Sequence, residues 1–368
     1  MTEPAPVTIG VVGTAKNTGK TTTVMAIVRT LVSPGTPFTV TSIGYDGEPA
    51  DHLTCLPKPR YFLPRGAMVV TSEACIGAGS APLRRFLPLG VRTALGQLWL
   101  AQVDEAGSVV VAGPNSARGL ARVKEEAFRM GTRVVLVDGS FGRLAPMTET
   151  SVLVLCTGAA RTTDLQRLAE EVRDVETVLG LPSLALPRHD GCPPTASFWR
   201  LDDSSPRLLA RSPGVRNLIV ESQLRLLLRQ AERCAEWDLL FLPGAVNPHL
   251  LKRLASTVAN ASKNASILLH DPTKLLCCAD AADAARVIRK LTSQGKRLLV
   301  MSPMRLACVT VNPFYPKRSR DGAGRFDAHY VDPGKLRERV ARYASVPVVD
   351  VKREPERFYR LVEKIVGM

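Results

Sequence analysis

The chain has 368 residues, 45% of them hydrophobic and 23% charged, with a formal net charge of +15. That length suits one large or two ordinary domains, and so apolar a chain excludes intrinsic disorder. No apolar run reaches the roughly 18–20 residues that span a bilayer, which excludes a membrane-spanning helix.

Val7 to Val12 is a short β-branched run and reads as a buried strand. The loop Gly13-Thr-Ala-Lys-Asn-Thr-Gly-Lys-Thr21 comes next. Val24, Ile27, Val28 and Leu31 then recur at helical spacing. Strand, glycine-containing loop and helix together open a parallel α/β sheet. Phe38 to Ile43 is a second strand, ending in Gly44-Tyr-Asp-Gly-Glu48. Between about 54 and 116 the pattern turns to short β runs (67–71, 98–103, 108–112) separated by Pro and Gly, the mark of an inserted or antiparallel portion. Leu120 to Met130 is an amphipathic helix, Thr132 to Val137 a central strand closing on Asp138-Gly139, and Ser151 to Cys156 another strand. Asp164 to Leu179 is a further helix. The segment 181–217 is Pro-rich and reads as a linker or a loose excursion. Strand–helix alternation then resumes to a terminal helix at 355–366, with a polar stretch at 316–327 expected to be a mobile loop. The expected architecture is an α/β P-loop NTPase fold, mostly parallel and flanked by helices. Its expected parts are residues 1–180 with a β-rich insertion at about 54–116, a linker at 181–217, and a C-terminal α/β region at 218–368.

Gly19-Lys20-Thr21, between a strand and a helix, carries the strongest chemistry. Backbone N–H groups at a helix N-terminus form an anion nest, and glycine lets the chain wrap a phosphate closely. The whole stretch Gly13, Thr14, Ala15, Lys16, Asn17, Thr18, Gly19, Lys20, Thr21 and Thr22 is the expected triphosphate cradle. Lys20 places positive charge on the β- and γ-phosphates, and the Thr21 hydroxyl is placed for Mg²⁺. The spacing departs from GxxxxGK[ST], which wants Gly where Thr14 stands; Gly13 comes one residue too early. Such loops occur in dethiobiotin synthetase and in metal-chaperone NTPases, which this loop resembles. Lys16 is similar to their signature lysine, but lies four residues before Lys20 rather than five.

Such a loop calls for a carboxylate at the end of another strand. Asp138 fits as the metal-proximal acid. Asp46 and Glu48 sit where a switch-like loop brings a carboxylate to Mg²⁺ or to an attacking water. The expected catalytic set is Lys20, Asp46 and Asp138, and the expected metal set is Thr21, Asp46 and Asp138. Thr71-Ser-Glu73, Gly113-Pro-Asn-Ser116 and Arg143 each come after a strand and serve equally as cleft lining or loop caps. Asn312-Pro313 stands after a strand where some P-loop relatives place a base-reading Asn, with a plain turn as the other reading. No NKxD sequence appears, so ATP with Mg²⁺ is expected rather than GTP. The five histidines form no HxxxH or HExxH pattern, and His270 reads as a strand-end residue.

Eight scattered cysteines without a CxxC pair speak against a disulfide framework or zinc site. The opening Met1-Thr-Glu-Pro-Ala-Pro6 has no basic leader region, so a cytoplasmic location is expected. The excess of Lys+Arg (49) over Asp+Glu (34) is mostly Arg and lacks interleaved aromatics, which disfavours nucleic acid and leaves basic drift or a face for an acidic protein.

Five stretches taken together resemble a known family: Gly13–Thr23, Ser42–Glu48, Leu56-Pro-Lys-Pro-Arg60, Ala112–Asn115 and Val137–Arg143. In this order they are similar to the P-loop subunit of the reactivase of lysine 5,6-aminomutase, a system shared with ornithine aminomutase. The likeness spans roughly residues 7 to 160. It implies an ATP-driven, chaperone-like component that opens an adenosylcobalamin-dependent aminomutase and lets damaged cobalamin leave. It further implies the aminomutase and a second reactivase subunit as partners. Two other classes stay open: a dethiobiotin synthetase-like ligase phosphorylating a small carboxylate, and a nucleic-acid-linked ATPase.

Overall fold

The computed structural model describes residues 5–46, 61–186, 193–201, 206–234, 237–258, 265–319 and 326–368. The N-terminal part runs β1 (Val7–Gly13), α1 (Lys20–Val32), β2 (Phe38–Ser42), β3 (Tyr45–Asp46), β4 (Tyr61–Leu63), β5 (Met68–Ser72), β6 (Leu83–Thr93), β7 (Gly96–Val103), β8 (Gly107–Val109), β9 (Val111–Ala112), α2 (Ala117–Arg129), β10 (Val134–Ser140), β11 (Val152–Gly158) and α3 (Leu165–Leu179). The middle part runs β12 (Ser197–Leu201), β13 (Pro206–Arg211), α4 (Glu221–Arg233), β14 (Leu239–Leu242), α5 (Pro248–Val258), β15 (Ser266–Leu269), α6 (Thr273–Leu276), α7 (Ala281–Ser293) and β16 (Arg297–Val300). The last part runs β17 (Leu306–Asn312), β18 (Phe314–Arg318), β19 (Phe326–Tyr330), α8 (Pro333–Ala341), β20 (Val348–Val349) and α9 (Pro355–Val366). Two compact units result, one of Met1–Val172 with Leu306–Met368, the other Arg173–Arg305.

The first unit is built on a nine-stranded sheet in the order β20-β17-β11-β1-β10-β2-β5-β7-β6. Neighbours from β20 to β5 are parallel, and β7 and β6 are antiparallel. The expected α/β fold with a mostly parallel sheet is present. All seven residues of β11 are buried, the demand a parallel strand covered on both faces makes on its sequence. Val24, Ile27, Val28 and Leu31 turn one face of α1 into the core shared with Phe358, Val362 and Val366 of α9. β1 lies between β10 and β11, where strand order reverses, so a crevice opens at its carboxyl end.

Three expectations change. Residues 306–368 do not continue a C-terminal domain begun at 218: β17 pairs with β11 and β20 with β17, returning the chain to the first sheet. The 181–217 segment contains the β12–β13 hairpin rather than a linker alone, with Phe198 and Trp199 buried and Pro206 opening β13. The β-rich portion joins the first sheet: β5 extends it in parallel beside β2, and β7 and β6 add antiparallel strands. β6, unpredicted, holds Pro88, which an irregular edge strand tolerates. The polar 316–327 stretch is in part the β18–β19 hairpin; residues 320–325 lie outside the described residues.

The second unit has a five-stranded sheet, β13-β12-β14-β15-β16. β14, β15 and β16 are parallel, and β12 runs against β14. Its core includes Phe198 packed edge-on to Trp237, with ring centroids 5.1 Å apart. Among the described residues no helix is long and apolar enough to cross a membrane.

Candidate phosphate-binding site

β1 delivers the chain into the loop at Gly13, and β11 anchors the residue after it. The Thr14 N–H donates to the Cys156 carbonyl at 3.0 Å, and the Thr14 and Thr157 hydroxyls meet at 3.1 Å. Thr18 is buried and its hydroxyl donates to the Ala15 carbonyl at 3.0 Å. Asn17 (φ 62°) and Gly19 (φ 93°) both take left-handed backbone, the turn that gathers N–H groups into an anion nest. Lys16 is exposed.

The early glycine has its own reason. A Cβ on Gly13 would stand 2.6 Å from Thr18 Oγ1 and 2.8 Å from Lys20 Cγ and Cδ. The stem of Lys20 therefore folds back over Gly13, and the spacing that departs from the common motif is filled by contact. Thr14, where that motif has glycine, spends its hydroxyl on Thr157 instead.

α1 opens without help from its own sequence. Gly19 supplies no side-chain cap, and no acid stands in the first turn. The first hydrogen bond back into the helix is Thr23 N–H to the Gly19 carbonyl, at 2.9 Å. The N–H groups of Lys20, Thr21 and Thr22 thus meet a bound anion's need for donors and a favourable helix dipole.

Under the loop lies a buried polar floor. Thr23 and Thr310 hydroxyls meet at 3.1 Å, and the Cys156 thiol donates to Thr23 Oγ1 at 3.5 Å. Burial pushes the Cys156 thiol up to about 11, against the lowering influence of the Thr23 and Thr310 hydroxyls and of the Lys20 charge. Asp138 acts on the same thiol in the opposite sense to Lys20, so both charges are felt at one buried group.

Asp138 does not end its strand, contrary to the expectation from sequence. β10 continues through Gly139 to Ser140, and Asp138 stands level with Val11 on β1 and Ser42 on β2. It is 1% exposed, and the equally buried Tyr61 hydroxyl donates to its Oδ2. Tyr61 was not predicted; its position beside Asp138 depends on β4 pairing with β8, a contact across 48 residues for Tyr61↔Val109. Asp46 lies in β3, where its backbone pairs with Val111, and the Ile43 N–H donates to the Asp138 carbonyl at 2.7 Å. The segment carrying Asp46 thus leaves the sheet beside Asp138. The Asp46 side chain, Glu48 and Leu56–Arg60 lie outside the described residues.

The remaining candidates have structural occupations. Asn312 donates from Nδ2 to the Asn17 carbonyl at 2.9 Å and accepts the Phe314 N–H at 3.3 Å, so its carboxamide braces the loop rather than facing a base. Thr71 binds the Val110 carbonyl and the Ala112 N–H, both at 3.0 Å. Glu73 pairs with Arg85, and Ser116 caps α2 by accepting the Gly119 N–H. The Arg143 side chain is outside the described residues. His270 lies in the second unit with Nδ1 2.8 Å from Asp271 Oδ2. Among the described residues no three His, Cys, Asp or Glu side chains gather to hold a metal by themselves.

No protein-family model matches the chain, and no curated protein matches it. Among solved structures it is similar to cobyrinic acid a,c-diamide synthase from Mycobacterium smegmatis with bound ADP and magnesium, at 15% identity, covering 82% of this chain and 100% of that one, with a TM-score of 0.22. It is also similar to pNOB8 ParA bound to nonspecific DNA, at 11% identity, covering 78% of this chain and 99% of that one, with a TM-score of 0.25. Likeness at this level assigns no function, and the α/β fold rests on the strand order itself.

Proposed function

We propose that the chain is a Mg²⁺-dependent ATPase of the P-loop kind, working as the ATP-driven component of a reactivase for an adenosylcobalamin-dependent lysine or ornithine aminomutase. One observation carries the nucleotide reading: α1 starts at a left-handed glycine with neither a cap nor an acid, directly behind a loop folded as an anion nest. In this reading the backbone of Gly13–Thr22 and the Lys20 ammonium hold the triphosphate. Thr21 and Asp138 hold Mg²⁺, whose charge offsets that building up on the phosphate oxygens. Tyr61 fixes the Asp138 carboxylate. Asp46 orients the water or reports the state of the nucleotide. Loops ordered by a γ-phosphate and released after hydrolysis supply the conformational stroke. The aminomutase as partner is supported by the five sequence stretches alone.

The test is ATP turnover by the purified protein with and without Mg²⁺ and an inactivated lysine 5,6-aminomutase. Mg²⁺-dependent turnover that rises with the mutase, with mutase activity recovering, is expected. Turnover indifferent to the mutase removes the partner and keeps the ATPase. A phosphorylated product appearing only with a small carboxylate replaces both by a dethiobiotin synthetase-like ligase.

A further inference from the structure

A groove of about 630 Å³ lies within the first unit between the start of α3 and α8, lined by Asp164, Gln166, Lys335, Glu338, Arg339 and Arg342. Lys335, Arg339 and Arg342 stand at i, i+4 and i+7, so three cations share one helix face. Like charges at this spacing oppose each other and cost the helix stability. Among the described residues none of the three forms an ion pair, although neighbouring Arg337 pairs with Glu354 at 3.6 Å.

Arg339 is fixed without being neutralised. Its Nη1 donates to Gln166 Oε1 at 3.0 Å. Gln166 is held in turn, its Nε2 donating to Tyr343 Oη at 2.6 Å and to Glu170 Oε1 at 2.7 Å. A neutral acceptor positions the guanidinium and leaves its whole charge for something else. Asp164, across the groove, is committed to the start of α3, accepting the Gln166 and Arg167 N–H groups at 3.0 and 3.1 Å. Three cations then share the groove with two carboxylates, Asp164 and Glu338, and positive charge is in excess.

We infer that this groove binds a small, multiply charged anion bearing phosphate or carboxylate groups, separately from the phosphate loop. Its volume falls in the range of small-molecule sites, and guanidinium groups such as those of Arg339 and Arg342 can match such oxygens by bidentate bonds. The inference does not depend on the aminomutase reading.

The experiment is calorimetric titration of the full chain with pyrophosphate and with citrate, on wild type, on Lys20→Ala and on the double variant Arg339→Gln/Arg342→Gln. Expected is one-to-one binding of at least one anion that persists in Lys20→Ala and weakens about tenfold or more in the double variant, with its thermal midpoint unchanged. Tighter pyrophosphate assigns a phosphate ligand, and tighter citrate a carboxylate one. Binding that vanishes in Lys20→Ala places the anion in the phosphate loop and overturns the inference. So does an unaltered affinity in the double variant, or no binding of either anion. If the double variant melts early, Arg342→Gln alone, which leaves the Arg339–Gln166 bond in place, decides by the same criterion.

Discussion

α1 and α7 are both 13-residue helices with one face in a core, yet their N-termini are built oppositely. α7 is closed by its own sequence: Asp280 accepts the Asp283 N–H at 2.8 Å, and Asp283 adds a carboxylate to the first turn. α1 has neither. The other described helices longer than one turn resemble α7: each start carries a capping side chain (Ser116 on α2, Asp164 on α3, Asn247 on α5, Asp332 on α8) or an acid in its first turn; the four-residue α6 has neither at its N-cap Pro272, although Asp271 accepts the Thr273 N–H. A helix start costs unpaired N–H groups, and the protein meets that need internally wherever no ligand is wanted. Among the described helices longer than one turn, the one start with neither is that of α1, behind the Gly13–Gly19 loop.

Breaking the open end has the largest effect. Lys20→Ala should weaken ATP binding on the order of 100-fold, the loss of a charge-assisted contact. The melting temperature should move little, because the side chain lies over a surface loop; fluorescent-nucleotide titration and a thermal melt check both. Wild-type affinity in that variant would remove the phosphate-loop assignment.

The floor beneath the loop gives the next effect. The Cys156 thiol is raised from 9.0 to about 11, so the folded state keeps its proton where the unfolded chain loses it. Below pH 9 both states are protonated and the contribution is intact. Between pH 9 and about 11 stability should fall as pH rises, by roughly 2–3 kcal/mol in all. Cys308, raised to about 12, adds in the same direction. Denaturant midpoints across this range should flatten in Cys156→Ala.

Gly19→Ala should cost about 1–2 kcal/mol of stability, since alanine resists a φ of 93° and its Cβ would sit 3.4 Å from Asn312 Cβ. It should also weaken nucleotide binding, because the nest must shift. The smallest change tests the closed end: Asp280→Ala should cost about 1 kcal/mol by urea unfolding and leave nucleotide affinity unaltered. An effect of Asp280→Ala on nucleotide binding would undo the contrast between the two helices.

Much of the site is legible in the chain. Val7–Val12, the loop to Thr21 and the helix behind it can be read directly, because strand, turn and helix periodicities are local. Asp138 stands out as a carboxylate after an apolar run, though its strand runs two residues further. Tyr61 and the Asn312 brace cannot be read, since each meets its partner far along the chain: 77 residues to Asp138 and 295 to Asn17.

The sequence by itself determined the α/β rhythm and the strand, loop and helix of Val7–Val32. Those depend on backbone sterics and side-chain chemistry over a few neighbouring residues. The tertiary structure alone decided that residues 306–368 return to the first sheet, that β12 and β13 pair within a segment otherwise rich in Pro, and that Asn312 holds the loop in place. Strand pairing and side-chain bracing join residues whose separation leaves no periodic trace, and only the folded packing of buried strands selects among the possible partners.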